Sequence, residues 1–137
     1  MTALNLQAVE IKAFVPARDF AKSLRFYERI GFEIPWSSDE LAYLRHGETS
    51  FLLQNFFVAE HANNFQMHLL VRNADDWHRH LQSLDVVTEF GVALGVPEDR
   101  PWRMRDFTLI DPSGVLWRIA HNLGAPDSLD TPAQDNP

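Results

Sequence analysis

The chain has 137 residues, 45% of them hydrophobic and 23% charged, so it can bury the core of one ordinary soluble domain, or of two small modules sharing one. It carries no cysteine, which excludes disulfides, thiolate metal sites and cysteine nucleophiles together. The formal net charge is -7, from 19 acidic against 12 basic residues. That balance disfavours nucleic acid, keeps a protein soluble, and suits a cationic ligand through long-range attraction. No apolar run approaches the roughly 20 residues that span a bilayer, and the first residues lack a charged-then-apolar signal pattern. A cytoplasmic protein that avoids membranes is expected.

Ala8 to Val15 alternates imperfectly and reads as a strand, which Pro16 ends because proline cannot donate to a ladder. Asp19 then offers a cap, and Phe20, Leu24, Tyr27 and Ile30 recur at helical spacing up to Gly31, a residue suited to the left-handed turn that closes a helix. Phe32 to Trp36, Leu41 to Arg45 and Ser50 to Gln54 are short strand candidates separated by polar turns. After a polar stretch around Glu60 to Asn64 the order repeats: a strand over Phe65 to Val71, a helix over Asp75 to Leu84, then strands over Val86 to Phe90, Arg105 to Leu109 and Val115 to Ala120. Gly91 to Met104 is a longer irregular insertion with two prolines and Trp102. The tail from Leu123 is rich in Pro, Asp and Ala and lacks periodicity.

FYERIGFE (Phe26 to Glu33) resembles the end of the first helix in the glyoxalase, bleomycin-resistance and extradiol-dioxygenase superfamily, the vicinal oxygen chelate fold. DPSGVLWRI (Asp111 to Ile119) resembles the turn and last strand of its second module, and the match covers roughly residues 8 to 122. The resemblance implies an α+β fold of two tandem βαβββ modules, residues 1–60 and 61–122, curled around a cleft, with 123–137 as a loose tail. Pairing two such chains hides strand edges, so a homodimer is expected. VPARDFAKSLRFYERIGF and RPWRMRDFTLIDPSGVLWRI are most similar to the bleomycin-resistance branch, including the Pro101–Trp102 pair shortly before Arg105, Asp106 and Phe107.

Enzymes of the superfamily hold a divalent metal with His and Glu, whose open positions polarise substrate oxygens. Carried over, the four ligand positions fall on Lys12, on Leu52 or Leu53, on His68 and on Arg118. One ligand of four survives and two positions carry a cation, so the standard metal site is expected to be absent and no cofactor is expected. A lone histidine on an apolar strand is more often packed than ligating; otherwise His68 lines the cleft. His78 and His80 lie two apart on a helix and do not face each other.

There is no phosphate-binding glycine loop, nucleophile elbow or His-Glu-x-x-His pair, and the paired carboxylates fall at turns or helix starts. The four tryptophans carry more information. Trp117 reads as core or interface and Trp77 as core or cleft rim. In bleomycin-resistance proteins aromatics at the places of Trp36 and Trp102 line a cleft across the dimer and stack on the flat part of the drug. The resemblance therefore implies ligand binding by Trp36, Trp102, Arg105 and His68, with no catalytic residue. The expected function is metal-independent sequestration of a flat ligand, cationic or bleomycin-like. The alternatives are a lyase, isomerase or dioxygenase with a non-standard metal site around His68, and a protein-binding module whose cleft is plugged.

Overall fold

A computed structural model describes residues 3–124, so the expected tail lies, from residue 125 on, outside the described residues. The first module runs β1 (Phe14–Pro16), α1 (Phe20–Ile30), β2 (Glu33–Ser37), β3 (Leu41–His46) and β4 (Thr49–Gln54), its strands ordered β1-β4-β3-β2. Helix α1 starts where Asp19 accepts a hydrogen bond from the Lys22 amide. It ends where Gly31, at φ 125°, returns its amide to Glu28 while the Phe32 amide reaches the Tyr27 carbonyl. The Phe32 ring then meets Tyr27 edge-on at 5.9 Å, so the Gly-Phe pair both stops the helix and begins the core. Strand β1 is shorter than the Ala8–Val15 expectation. It pairs in parallel with β4, and Val9 and Ile11 before it are 96% exposed, with no neighbouring sheet to lie against. Pro16 is tolerated inside β1 because β1 is an edge strand.

The second module adds α2 (Ala59–Asn63), β5 (Gln66–Leu70), α3 (Ala74–Ser83), α4 (Val86–Phe90), β6 (Ala93–Leu94), β7 (Glu98–Arg100), β8 (Met104–Ile110) and β9 (Leu116–Asn122). Its order is β5-β9-β8-β6, with β7 also paired to β8, which repeats the first module once β6 and β7 are taken as one interrupted strand. Two expectations are corrected. Val86 to Phe90 is a helical turn, not a strand: Val86 and Phe90, four apart, are buried while the three between them are exposed, and Phe90 packs edge-on against Phe26 at 5.4 Å. The β-branched composition is overridden by that packing and by Asp85 and Gly91, both left-handed, at the two ends. The "irregular" insertion, in turn, supplies the displaced strand as β6 and β7.

One core of buried side chains spans both modules, including Phe26, Tyr27, Phe51, Phe107, Trp117 and Ile119. At its centre the two resembling motifs touch. The Tyr27 hydroxyl donates to Asp111 Oδ2 at 2.5 Å and accepts from Trp117 Nε1 at 2.9 Å. Asp111 Oδ1 accepts from the amides of Ser113 and Val115 at 2.8 and 2.9 Å, closing the turn before β9. Burial pushes the Asp111 carboxyl above its usual range against the lowering effect of these donors, and pushes the Tyr27 hydroxyl well above its own. Each sheet thus turns one face to this core. Its other face is open: Phe14, Trp36, Leu70 and Ile110 are 38–52% exposed.

Candidate functional site

The open face of the first sheet carries a row of large side chains fixed by strand register. Trp36 on β2 pairs with Tyr43 on β3, Tyr43 with Leu52 on β4, and Leu52 with Phe14 on β1. Paired residues share a face, so four apolar or aromatic groups lie side by side, with Trp36 52% and Phe14 50% exposed. The period of two explains the selection. Ala42, Leu44, Phe51 and Leu53 point into the core, and their neighbours point away from it. Lys12 reaches over this face, its Nζ 5.5 Å from the Tyr43 ring centre and 2.9 Å from Glu10.

The open face of the second sheet is more polar. His68 on β5, Arg118 on β9 and Thr108 on β8 are in register with one another. Asp106, 1% exposed, receives Arg100 Nε at 2.8 Å and Arg118 Nη1 at 3.4 Å. His68 is exposed rather than packed in the core, and it lines a narrow cavity of about 110 Å³ with Thr49, Ser50, Met67 and Leu70 at the seam between β4 and β5. A wider open cavity of about 580 Å³ lies between the β3–β4 turn and the β5–α3 passage, with Trp77 and Arg72 in its lining. Trp77 is a rim residue there and meets the His46 ring edge-on at 5.1 Å.

The remaining expected site residues lie as follows. Trp102 is half-buried in the turn Pro101–Arg103 between β7 and β8, where Arg103 adopts φ 65°. Trp36 lies on β2 of the first sheet and Trp102 in a turn of the second module, and neither stacks on another ring among the described residues. Arg105 lies on the helix-bearing face of β8: its Nε is 3.1 Å from both oxygens of Asp75 at the start of α3, and its Nη1 is 2.9 Å from Asp99. The structure therefore brings His68 to the open face, leaves Trp36 exposed in an aromatic row, and ties Arg105 to two carboxylates. Sequence reasoning missed Phe14, Tyr43 and the Arg100–Asp106–Arg118 cluster. The alternation through β3, β4 and β8 carried that signal.

The four positions that the resemblance assigns to metal ligands can now be placed. Leu52, not the fully buried Leu53, is the one on the open face. With Lys12, Leu52, His68 and Arg118 as its donor set, the site does not fit a divalent cation: one imidazole stands against two cationic side chains. Among the described residues no three His, Asp or Glu side chains come together to hold one.

A family model described as the Glyoxalase/Bleomycin resistance protein/Dioxygenase superfamily matches residues 8–119. A bleomycin resistance protein of Klebsiella pneumoniae is 29% identical over 114 residues, which cover 79% of this chain and 88% of that protein. The fold superposes on a crystal structure of a bleomycin-binding protein complexed with bleomycin, with TM-score 0.72, 24% identity, and 84% and 99% of the two chains covered. It also superposes on a lactoylglutathione lyase of Agrobacterium tumefaciens, with TM-score 0.64, 12% identity, and 85% and 95% covered. Likenesses at these identities speak to the fold, and the same fold serves a binder and an enzyme.

Proposed function

The chain belongs to the Glyoxalase/Bleomycin resistance protein/Dioxygenase superfamily, and we propose that within it this protein is a metal-independent binder that sequesters a flat small molecule in an aromatic cleft completed by a second copy of the chain. The observation that carries the reading is the open-face row Trp36–Tyr43–Leu52–Phe14, exposed at Trp36 and Phe14 and half-buried at Tyr43 and Leu52, with no other ring stacked on Trp36 among the described residues. Aromatic faces of this kind stack on planar rings with roughly 1 kcal/mol per contact beyond area burial. The likeness to bleomycin resistance and binding proteins supports a bleomycin-type ligand. In this reading Trp36 of one subunit faces Trp102 of the other and His68 borders the cleft, while Arg105, held by Asp75 and Asp99, stands behind it; the protein works as a homodimer, inside the cell, without nucleic acid or membrane. Among the described residues no helix is long and apolar enough to cross a membrane.

The test is a tryptophan-fluorescence titration with metal-free bleomycin in the presence of a chelator, with the oligomeric state measured by light scattering. Saturable quenching near one drug per subunit, lost in Trp102→Ala and Trp36→Ala, is expected of a dimer. A flat titration removes bleomycin-type drugs, and a monomer removes the shared cleft. The second reading, an enzyme with a rearranged metal site, is favoured by the open placement of His68. It requires stoichiometric metal after purification and loss of that metal in His68→Ala.

A further inference from the structure

We infer that Arg118, framed by His68 and Thr108 on the open face of the second sheet, is an anchor for a carboxylate carried by the bound small molecule. The inference rests on the binding reading above in its general form, a flat small molecule in the cleft, and gives that molecule a carboxylate, which bleomycin itself lacks.

Three observations carry it. The first is alignment: His68, Arg118 and Thr108 are direct cross-strand partners on three adjacent strands, so three donor side chains form one row. Neighbouring strands are about 4.8 Å apart, so the row is roughly 10 Å long, the width of a small planar acid. The second is incomplete satisfaction. Among the described residues Arg118 makes one hydrogen bond, a long one of 3.4 Å to Asp106, and its side chain is 34% exposed. Asp106 is already held by Arg100 Nε at 2.8 Å, and Arg100 is also 3.7 Å from Glu98. The carboxylate belongs first to Arg100, and most of the five guanidinium donors of Arg118 are left for something else.

The third is the frame. One step along the strands the flanking rows read Leu70–Ala120–Asp106 on one side and Gln66–Leu116–Ile110 on the other, so Arg118 has apolar neighbours on its own strand, Ala120 and Leu116, with Leu70 49% and Ile110 38% exposed at the corners, while the Asp106 corner is already held by Arg100. A few aligned polar groups in an apolar surround are how small-molecule sites fix orientation. A planar fork matches a carboxylate with two parallel bonds, which a lysine in that place cannot do.

The net charge of -7 repels an anion at long range, but that field is screened within about 8 Å at physiological ionic strength. A direct guanidinium–carboxylate contact in a closed cleft is screened far less, so the local contact decides.

The test uses three probes of one shape: 2-naphthoate, 2-naphthamide and 2-naphthylmethylammonium. Binding is measured by calorimetry, and the Arg118 Nε–H resonance is followed by NMR. The carboxylate should bind at least tenfold more tightly than the other two and move the Arg118 signal. Arg118→Met should bring it down to the level of the amide, Arg118→Lys should keep part of the preference, and Thr108→Val should weaken the acid alone. Equal affinities, a preference for the ammonium probe, or a preference that survives Arg118→Met overturns the carboxylate anchor while leaving the binding reading in place. Absence of binding by all three overturns it as well, and a flat bleomycin titration beside that takes the binding reading with it.

Discussion

Tyr27→Phe removes one oxygen and leaves the ring, which packs edge-on at 5.1 Å against both Phe26 and Phe51. No cavity opens, so the loss reads the hydrogen bonds alone. The Trp117 indole N–H loses its acceptor among the described residues, at 2.9 Å, and the buried Asp111 side chain loses one of the three donors described above. A neutral buried bond contributes about 1 kcal/mol and one to a carboxylate roughly 1.5–3, so the variant should lose about 2–4 kcal/mol. At this chain length 1 kcal/mol moves the melting temperature by about 3 °C, which gives a drop of roughly 6–12 °C. Urea unfolding at pH 7 measures it, with both proteins at one concentration because dimer formation would add its own stability. The slope against urea should not change. A double-mutant cycle with Asp111→Asn should show coupling of about 1 kcal/mol or more. A loss under ~0.5 kcal/mol, or strict additivity, refutes the claim that this network joins the two modules.

Asp111 also sets a pH dependence. Its folded-state pKa lies above the ordinary 3.8, chiefly through burial, so the folded chain holds this proton more tightly than the unfolded one. That contribution is fully present below the unfolded pKa and is lost as pH rises through the folded one. The stability of the native chain minus that of Asp111→Asn should therefore fall as pH is raised from about 4 toward neutral; a flat or rising difference contradicts the burial argument. Gly31→Ala meets no close atom, since the added Cβ would sit 3.7 Å from the His46 ring, but it must hold φ 125°. It should lose about 1–3 kcal/mol in urea unfolding from backbone strain alone, and an unchanged midpoint would show that the turn relaxes. Asp85 sits at φ 56° with no capping bond from its side chain, so Asp85→Gly should gain about 0.5 kcal/mol; a loss would mean that the carboxylate matters.

From α1 to β4 the first module was legible almost residue by residue because local and tertiary preferences agree there, whereas β1 kept only the end of its expected span. Asp19 caps, Gly31 and Phe32 close the helix, and the three following strands alternate. In the second module they disagree. Val86, Val87 and Phe90 look like strand, yet the left-handed Asp85 turns the chain so that Val86 and Phe90 bury one helical face against α1. The missing strand is then built from β6 and β7, broken around Gly95, where an added Cβ would lie 2.8 Å from Thr108 Oγ1. Close approach of this kind leaves no local pattern. The site divides in the same way. Trp36 is conspicuous on its own, being large and set in a polar context, whereas Phe14 and Tyr43 look ordinary until register lays them beside it. Arg105 looked like a cleft residue through its place near Trp102, but parity puts it on the helix side with Asp75 and Asp99.

That parity has a consequence which one pair of variants can test. Adjacent residues on β4, Leu52 and Leu53, have the same chemistry and opposite faces. Leu53 is fully buried in the core shared by the modules, and Leu53→Ala should cost about 2–5 kcal/mol whatever the ligand or oligomeric state. Leu52 lies in the open row between Tyr43 and Phe14, so in a dissociated chain its truncation should cost under about 1 kcal/mol. If the row is covered by a second copy or stacks on a ligand, Leu52→Ala should instead weaken self-association or drug binding while the unfolding midpoint of the dilute protein barely moves. Urea titrations at two protein concentrations, run beside the bleomycin titration, separate these effects. Equal destabilisation by both variants at low concentration would mean that the open face is core after all, and the aromatic row would lose its standing as a binding surface.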